Sequence, residues 1–406
     1  MSADGRKRQA FAVRVALFFA ALFVVYGMNV PFMPVWLNWR GLTPGEISVV
    51  IAAPLFLRLF VTPIIAMAAD REMAHRRYLI ILAWLSLVFV VSLGLSSSFG
   101  TILLFATLLM LCNSTIMPLI ETIAVGGMRQ SGFDYGRVRL WGSLSFVAAS
   151  FAGGFAINAF GGGAGVWLIA FGCVLTVAAA HILPSQGGVD ERAKPSVTLW
   201  RADAIRELVQ RREFRFFLLA AGLAIGSHAA FYAFGILIWE AHGLSAAWCG
   251  SLWAIGVFAE VLLFSVSGQL LQRIGAARLI ALGGAASIVR WLAMAFDPPL
   301  AVLLPLQILH GLTYGATHIG AIHYIHETVS RDKQGTAQAL YATISSGLAM
   351  GCLTLIAGWI YASGGSLSYL AMAATSLVAL VAGLWLVSSQ QRVDVISPRV
   401  PAEADR

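Results

Sequence analysis

The sequence predicts an all-α integral membrane protein of twelve transmembrane helices arranged as two pseudo-symmetric six-helix bundles. Three observations carry that prediction. Of the 406 residues, 59% are hydrophobic and 11% charged, whereas a soluble domain keeps about 25% charged residues to wet its surface. Twelve apolar stretches are each long enough to cross the hydrocarbon layer, which takes about 20 helical residues. The chain also repeats itself, with features of its first half recurring in the second at one offset.

The stretches run approximately 11–37, 45–68, 77–96, 100–126, 137–160, 164–183, 214–239, 246–270, 276–296, 299–326, 336–362 and 366–388. Lipid offers no partner for backbone N–H and C=O groups, so each stretch must be a helix. The first is too long for a signal-peptide core and has no small-residue cleavage site behind it, so it reads as a retained span. No extracytoplasmic domain is expected. A net charge of +8 could point to nucleic acid in a soluble chain, but here the excess lies in loops and no basic-aromatic face is present. One set of helix ends carries Arg6, Lys7, Arg8, Arg71, Arg76, Arg77, the cluster from Arg192 to Arg215, Arg273, Arg278, Arg331 and Lys333; the other carries only Arg40. That asymmetry predicts both termini on the cytoplasmic side of a bacterial inner membrane. Cys112, Cys173, Cys249 and Cys352 lie in or beside apolar runs without ligand spacing, which argues against a disulfide or metal framework.

The one long connection divides the chain into an N-terminal bundle (1–183), a linker (184–213), a C-terminal bundle (214–390) and a cytoplasmic tail (391–406). Within the linker, TLWRADAIRELVQRREF gathers Trp200, Ala204, Ile205, Leu208 and Val209 near one helical face, which predicts an amphipathic helix lying on the inner membrane surface. Gly41-Leu42-Thr43 and Gly243-Leu244-Ser245 stand 202 residues apart, as do Asp70-Arg71 and Gln272-Arg273. Thr43 and Ser245 suit the cap of the helix that follows each. The same offset pairs Tyr26 with His228 and Arg58 with Glu260, all near mid-span. Parallel repeats of this kind build transporters around a site at the repeat interface.

Polar residues inside the spans are unevenly placed. Span 10 has His310, Thr313, Tyr314, Thr317 and His318 at the spacing of one helix face, span 4 has Asn113, Ser114 and Glu121, span 1 has Tyr26 and Asn29, and span 7 has Ser227, His228 and Tyr232. Spans 3, 6 and 12 are apolar through their middles. Interhelical polar contacts contribute only about 0.6 kcal/mol each, so whole stripes point to a wet central cavity lined by helices 1, 4, 7 and 10.

Glu121 and Arg139 lie nine residues either side of Gln130 in the turn between spans 4 and 5, hence at equal depth. A lone charge there would cost several kcal/mol, so an ion pair is expected, bracing the two helices or opening to hold a polar or anionic substrate. Glu260, Arg290 and His310 also fall at one depth, as a proton relay or a satisfied brace. Arg58 has no acidic neighbour at its depth, which favours either an anionic substrate or a carbonyl-satisfied structural role. Asp70, Arg71 and Arg273 are candidate conformational latches, with Asp134, Arg137, Asp332 and Lys333 in neighbouring turns. His323-x-x-His326-Glu327 lacks a third ligand cluster, so no metal is assigned.

The loop Ala66…Asp70-Arg71-x-Met73-x-His75-Arg76 resembles the G-x-x-x-D-R-x-G-x-[RK]-[RK] signature of the major facilitator superfamily, with Ala66 and Met73 at its glycine positions. Gly268…Gln272-Arg273-x-Gly275-x-x-Arg278 resembles a second copy without the Asp. The segments DYGRVRLWGS (134–143), SHAAFYAFGILIWEAHGLS (227–245), GVFAEVLLF (256–264) and LQILHGLTYGATHIGA (306–321) resemble the phenylpropionate permease group and, more distantly, lactose permease. The resemblance implies proton-driven symport, with Glu121 and Arg139 binding substrate and Arg290 and His310 in proton coupling. Thr313 stands where lactose permease has its proton-carrying glutamate, Gln307 replaces a lysine, and span 11 has no lysine, which leaves Glu260 as the substitute proton carrier.

The expectation is therefore a secondary active transporter, a proton-coupled symporter of a small aromatic acid such as 3-phenylpropionate. Tyr26, Asn29, Arg58, Glu121, Arg139, His228 and Tyr232 are the expected substrate-binding residues, and Asn113, Ser114, Thr313, Tyr314, Thr317 and His318 the expected cavity lining. No catalytic residue and no cofactor is assigned. The expected partners are a small-molecule substrate, protons and the lipid bilayer, without nucleic acid, and the chain is expected to be a monomer. A sugar or nucleoside symporter is the alternative within transport; an intramembrane enzyme using the His-rich span 10, or a sensor that binds without flux, are the alternatives outside it.

Overall fold

A computed structural model describes residues 3–184 and 202–396, and all regular structure among them is helical. The first six spans are α1 (Ala3–Trp39), α2 (Pro44–Arg71), α3 (His75–Leu95), α4 (Phe99–Ser131), α5 (Tyr135–Phe160) and α6 (Gly165–Ile182). After the short α7 (Ala202–Gln210), α8 (Arg212–Gly226) and α9 (Ala229–Ala241) form one span broken at Ser227-His228. Then come α10 (Ala246–Ser265), α11 (Ser267–Ile274) and α12 (Ala276–Met294). The next span joins α13 (Leu300–Ile308), a π-helical segment (Gly311–Ala316) and α14 (Thr317–Thr328). The last apolar run, Gln334–Gln391, contains α15 (Gln334–Ala342), a second π-helical segment (Thr343–Ala349), α16 (Met350–Gly364) and most of α17 (Ser368–Ile396). A 3-10 turn at Gly365–Leu367, with Gly365 at φ +53°, reverses the chain and separates the predicted spans 336–362 and 366–388.

The sequence repeat is visible in the local structure. Thr43 accepts a hydrogen bond from the Glu46 amide while the Glu46 carboxylate accepts from Thr43, a complete capping box. At the matching place, Ser245 accepts from the Trp248 amide. Gly41 and Gly243 precede these caps at φ +82° and +85°, a left-handed turn in which glycine carries no steric cost. Arg40, the only basic residue at these ends, donates to the Ser96 carbonyl and lies over the Trp36 and Trp39 rings.

Packing sorts the helices into two groups. In the first, α1 lies against α5 and α6, α3 against α4 and α6, and α2 against α4; in the second, α17 lies against α8 and α12, and α10 against α13. The groups meet along α5 with α10 and along α2 with α16. Both seams are closest near the ends opposite the basic loops. A Cβ on Gly154 would lie 2.5 Å from the Ala246 carbonyl oxygen and 3.0 Å from the Gly250 Cα, and one on Gly250 would strike the Ser150 carbonyl. On the other seam a Cβ on Gly358 would strike Ser48 and come within 3.0 Å of the Pro44 carbonyl. Small residues let backbones approach where lipid supplies no hydrophobic drive for helix association.

The amphipathic linker segment is helical from Ala202 to Gln210. In α7, Ala204 and Leu208 are buried and the helix packs on α8 and α15, while Val209 is exposed. Glu207 pairs with Lys333 at 2.5 Å. A nine-residue apolar stripe finds a ready partner on the ends of the neighbouring helices, and the ion pair holds it there. Trp200 and residues 397–406 of the tail lie outside the described residues.

Gly250→Ala should therefore destabilise the detergent-solubilised protein by about 1–3 kcal/mol, the usual cost of overpacking, read as a lower thermal midpoint. Gly45→Ala, where an added Cβ meets nothing within 4 Å, should leave the midpoint unchanged or raise it, because alanine favours helix by up to about 1 kcal/mol.

Candidate functional site

Between the two groups of helices lies a cavity of about 270 Å³. Its polar lining comes from Tyr26 and Asn29 on α1, Arg58 on α2, Tyr232 on α9, Tyr314 in the first π segment, Ser346 in the second and Thr354 on α16; its apolar lining includes Met33, Pro54, Met110 and Met350. Tyr26 donates to the Asn113 carbonyl at 2.8 Å, and the Asn29 amide lies 2.9 Å from the Met110 sulfur. Arg58 reaches across the seam and donates to the Ser346 carbonyl at 2.5 Å. A π turn loosens the i→i−4 ladder, which suits a main-chain carbonyl to receive an outside donor. No carboxylate lies within ion-pair distance of Arg58 among the described residues.

Behind the cavity, in the second group, Arg290 is fully buried. It donates to Gln307 Oε1 at 2.8 Å, to His310 Nδ1 at 3.0 Å and to Thr313 Oγ1 at 3.2 Å. The Phe231 and Trp291 rings face its guanidinium, each 4.7 Å away. A guanidinium only donates, so His310 Nδ1 must accept and its proton sits on Nε2. That Nε2 lies 3.6 Å from Glu260 Oε2. The same logic runs through His228. Its Nδ1 faces the Ala224 and Ile225 carbonyls, so its Nε2 accepts from Thr313 at 3.0 Å, while Thr313 in turn accepts from Arg290. The shared depth of Glu260, Arg290 and His310 is thus realised as a connected network ending at a carboxylate.

Glu121 and Arg139 lie within electrostatic reach of each other, but the expected ion pair is not closed at 4 Å. Arg139 instead stacks over Phe23 at 4.1 Å and near Phe19 at 5.5 Å, and its charge reaches Glu260 in the other group as well. Tyr135 lies near Glu121 as well, within its electrostatic reach. Equal depth brings the two charges to one level, and the guanidinium rests on the aromatic shelf of Phe19 and Phe23 instead of closing on the carboxylate. Tyr135 is one turn before Arg139 on α5, and that i, i+4 spacing is the signal by which it could have been found.

Several expected cavity residues lie elsewhere. His228, Thr313 and Thr317 have no exposure at all. His228 and Thr313 belong to the Arg290 network, and Thr317 donates to the Thr313 carbonyl while pressing on Gly283 of α12. Asn113 is buried and accepts from Ser86; Ser114 donates to the Leu111 carbonyl and lies 3.4 Å from Thr62. His318 stacks on Tyr314 and tilts toward Tyr341. Of the expected lining, Tyr314 alone borders the cavity. In span 10 the π segment, which inserts an extra residue, rotates the downstream helix face by about 100° relative to a regular helix, whereas Asn113 and Ser114 lie on the regular α4 and turn toward Ser86 of α3 and Thr62 of α2.

The latch candidates make no contact between the groups. Asp70 accepts from His75 Nε2 at 2.6 Å within its own loop, and Arg71 and Arg273 are exposed without an ion pair among the described residues. Asp134 caps α5 through the Arg137 amide. No group of three or more His, Cys, Asp or Glu among the described residues could hold a metal, His323 and His326 included.

Comparison with known proteins agrees with this architecture. The MFS_1 like family profile matches residues 12–371. The chain is 31% identical over 373 residues to the probable 3-phenylpropionic acid transporter of Escherichia coli K12, covering 90% of this chain and 95% of that protein. It is 30% identical over 349 residues to the maltose permease of Geobacillus stearothermophilus, covering 85% and 86%. Among solved structures, the nucleoside transporter NupG superposes with a TM-score of 0.80 at 17% identity, over 93% of this chain and 99% of that one. A bacterial homologue of the human lysosomal transporter Spinster does so with a TM-score of 0.72 at 16% identity, over 99% and 100%. These relatives are transporters, not enzymes, and with the profile spanning nearly every helix the chain belongs to the MFS_1 like family, as a multi-pass membrane transporter of the permease type.

Proposed function

We propose that the chain is a proton-coupled uptake permease for a small aromatic organic acid, such as 3-phenylpropionate, working by alternating access between two rocking bundles with both termini in the cytoplasm. The observation that carries this reading is Arg58, a cation bordering an otherwise largely apolar cavity, with a neutral carbonyl as its hydrogen-bond partner. A carboxylate would replace that carbonyl with a charge-assisted, bidentate bond, while Tyr26, Tyr232 and Tyr314 offer faces for an aromatic ring. The probable 3-phenylpropionic acid transporter among the relatives supports the same substrate class. The maltose permease makes a neutral sugar the competitor, but a sugar would leave the Arg58 charge uncompensated.

Charge bookkeeping supports the coupling. Arg58, Arg139 and Arg290 set three positive charges around the site against the two carboxylates of Glu121 and Glu260, an excess of one. A monoanion cancels that excess, and a proton taken up on Glu260 restores it, so the loaded carrier has the charge of the empty one. Symport of a monoanion with one proton then moves no net charge through the apolar barrier. Glu260 suits the carrier role because it ends the His310 and Arg290 chain on one side and feels Arg139 on the other. The close glycine seams opposite the basic face, together with the lack of an ion pair between the two groups at Asp70, Arg71 and Arg273 among the described residues, support an inward-open state.

Uptake of labelled 3-phenylpropionate and a sugar panel into vesicles, with and without an imposed proton gradient, tests the reading; gradient-driven sugar uptake without acid uptake would replace it. Arg58→Gln should raise the KM for the acid by about 10-fold or more, since a hydrogen bond to a charged group contributes about 1.5–3 kcal/mol. Arg139→Ala and Glu121→Ala should abolish uptake while the protein still inserts, and normal transport in both would remove the pair from the site. Glu260→Gln should abolish gradient-driven accumulation but keep equilibrium exchange across the membrane. Accumulation that persists in that variant would move the proton elsewhere.

A further inference from the structure

A second recess lies away from the central cavity, where α6 emerges between α1 and α3 at the basic end of the helices. Arg14, Arg76 and His181 line it together with Leu17 and Ile182, and among the described residues no acidic side chain does. Arg76 is held in place, because its Nε donates to the Leu183 carbonyl at 2.7 Å and its terminal nitrogen to the His181 carbonyl at 2.9 Å, capping the open C-terminal end of α6. These bonds use two of its five N–H groups. Trp84 Nε1 donates to His181 Nε2 at 3.0 Å. An indole N–H can only donate, so His181 accepts there and keeps its proton on Nδ1, a further donor beside the arginines. Arg14 is exposed and makes no ion pair among the described residues.

The surroundings identify the ligand. Arg14 and Arg76 sit within the first turns of their apolar spans, and His181 in the last turn of its own. That level is where lipid headgroups meet the helix ends. Beside them Val13, Leu17, Trp84 and Ile182 are each 47–49% exposed, an apolar shelf on the bilayer side of the cations. Free phosphate would use the donors and ignore the shelf. A zwitterionic lipid would bring its own ammonium to a recess holding two guanidiniums that make no ion pair among the described residues. We infer that this recess is a binding site for an anionic phospholipid, with the phosphate between Arg14 and Arg76 and the acyl chains along the Leu17, Trp84 and Ile182 surface. Basic pockets between helices at this level suit such headgroups.

Native mass spectrometry of the detergent-purified full chain, titrated with dioleoyl phosphatidylglycerol or phosphatidylcholine of the same chain length, tests the assignment. Phosphatidylglycerol should be retained preferentially, and Arg14→Gln, which leaves the Arg76 cap of α6 intact, should weaken that retention about fivefold, the share of one basic residue near an anionic headgroup. Arg14→Lys should restore most of it. Equal retention of the two lipids, or retention unchanged in Arg14→Gln, overturns the proposal. A thermal stabilisation by inorganic phosphate as large as that by phosphatidylglycerol, lost in Arg14→Gln, would overturn it in favour of a soluble anion.

Discussion

Arg290 is a cation with no access to water, and much of the second half is arranged around that constraint. An ionised side chain in hydrocarbon costs several kcal/mol unless hydrogen bonds and opposing fields replace its hydration. Here the replacement is a side-chain oxygen of Gln307, a hydroxyl of Thr313, a ring nitrogen of His310 and two aromatic faces. None of these carries a full negative charge, so the guanidinium keeps its field and imposes order outward. It fixes the His310 tautomer, which turns an N–H toward Glu260, and it recruits the Thr313 hydroxyl, which in turn orients His228. The Nε of Arg290 and the Nε2 of Gln307 remain buried without partners. Such unmet donors are tolerated where the network has work beyond stability.

The helix breaks serve the buried polar groups of the interior. Turning His228, Tyr314 and the Ser346 carbonyl toward their partners requires local departures from the α ladder at Ser227-His228, Gly311–Ala316 and Thr343–Ala349. In lipid such departures would strand backbone groups, yet each lies against protein or the cavity. Ser227 receives the Trp291 indole N–H, His228 Nδ1 takes up the carbonyls of the turn before it, and Ser346 receives Arg58. The first six spans have no comparable interruption; α1 runs through Pro31 and Pro34 as one helix. The two groups of helices therefore share a repeat in sequence while only the second is broken around the cavity.

This distinction explains what the sequence alone reveals. Span positions, the caps at Thr43 and Ser245, and the common level of Glu260, Arg290 and His310 are all legible, because they depend on hydropathy and on counting residues away from a turn. Counting fixes depth but not direction. Across a π segment the face rotates, so Thr313 and Thr317 leave the cavity and Tyr314 keeps it. Contacts between the groups are hidden for another reason: Arg58 and Ser346 are 288 residues apart, and no local pattern encodes their meeting. Arg139 fails as a simple partner of Glu121 in the same way, since residue counting does not show the Phe23 ring of α1 that its guanidinium stacks on. The amphipathic stripe of α7 is legible, and its Ala204 and Leu208 are buried where the helix packs on α8 and α15.

The repeat also bears on how one site could handle an anion and a proton together. At the offset of 202, Arg58 on α2 corresponds to Glu260 on α10, so equivalent places in the two halves carry opposite charges. A strictly symmetric carrier would put like charges there, and their repulsion would hold the cavity wet and open at every stage. Opposite charges create a field across the cavity instead, directed from α2 toward α10. An anion is then drawn to one wall and a proton to the other, and neither displaces its counterpart. Arg139 sits between, within reach of Glu121 in its own half and Glu260 in the other. In the proposed cycle, protonating Glu260 removes one of the two claims on that guanidinium, and the attraction between the halves at that level weakens when the proton binds. In that cycle the charge asymmetry proposed to select the substrate would also link its binding to the seam between the bundles.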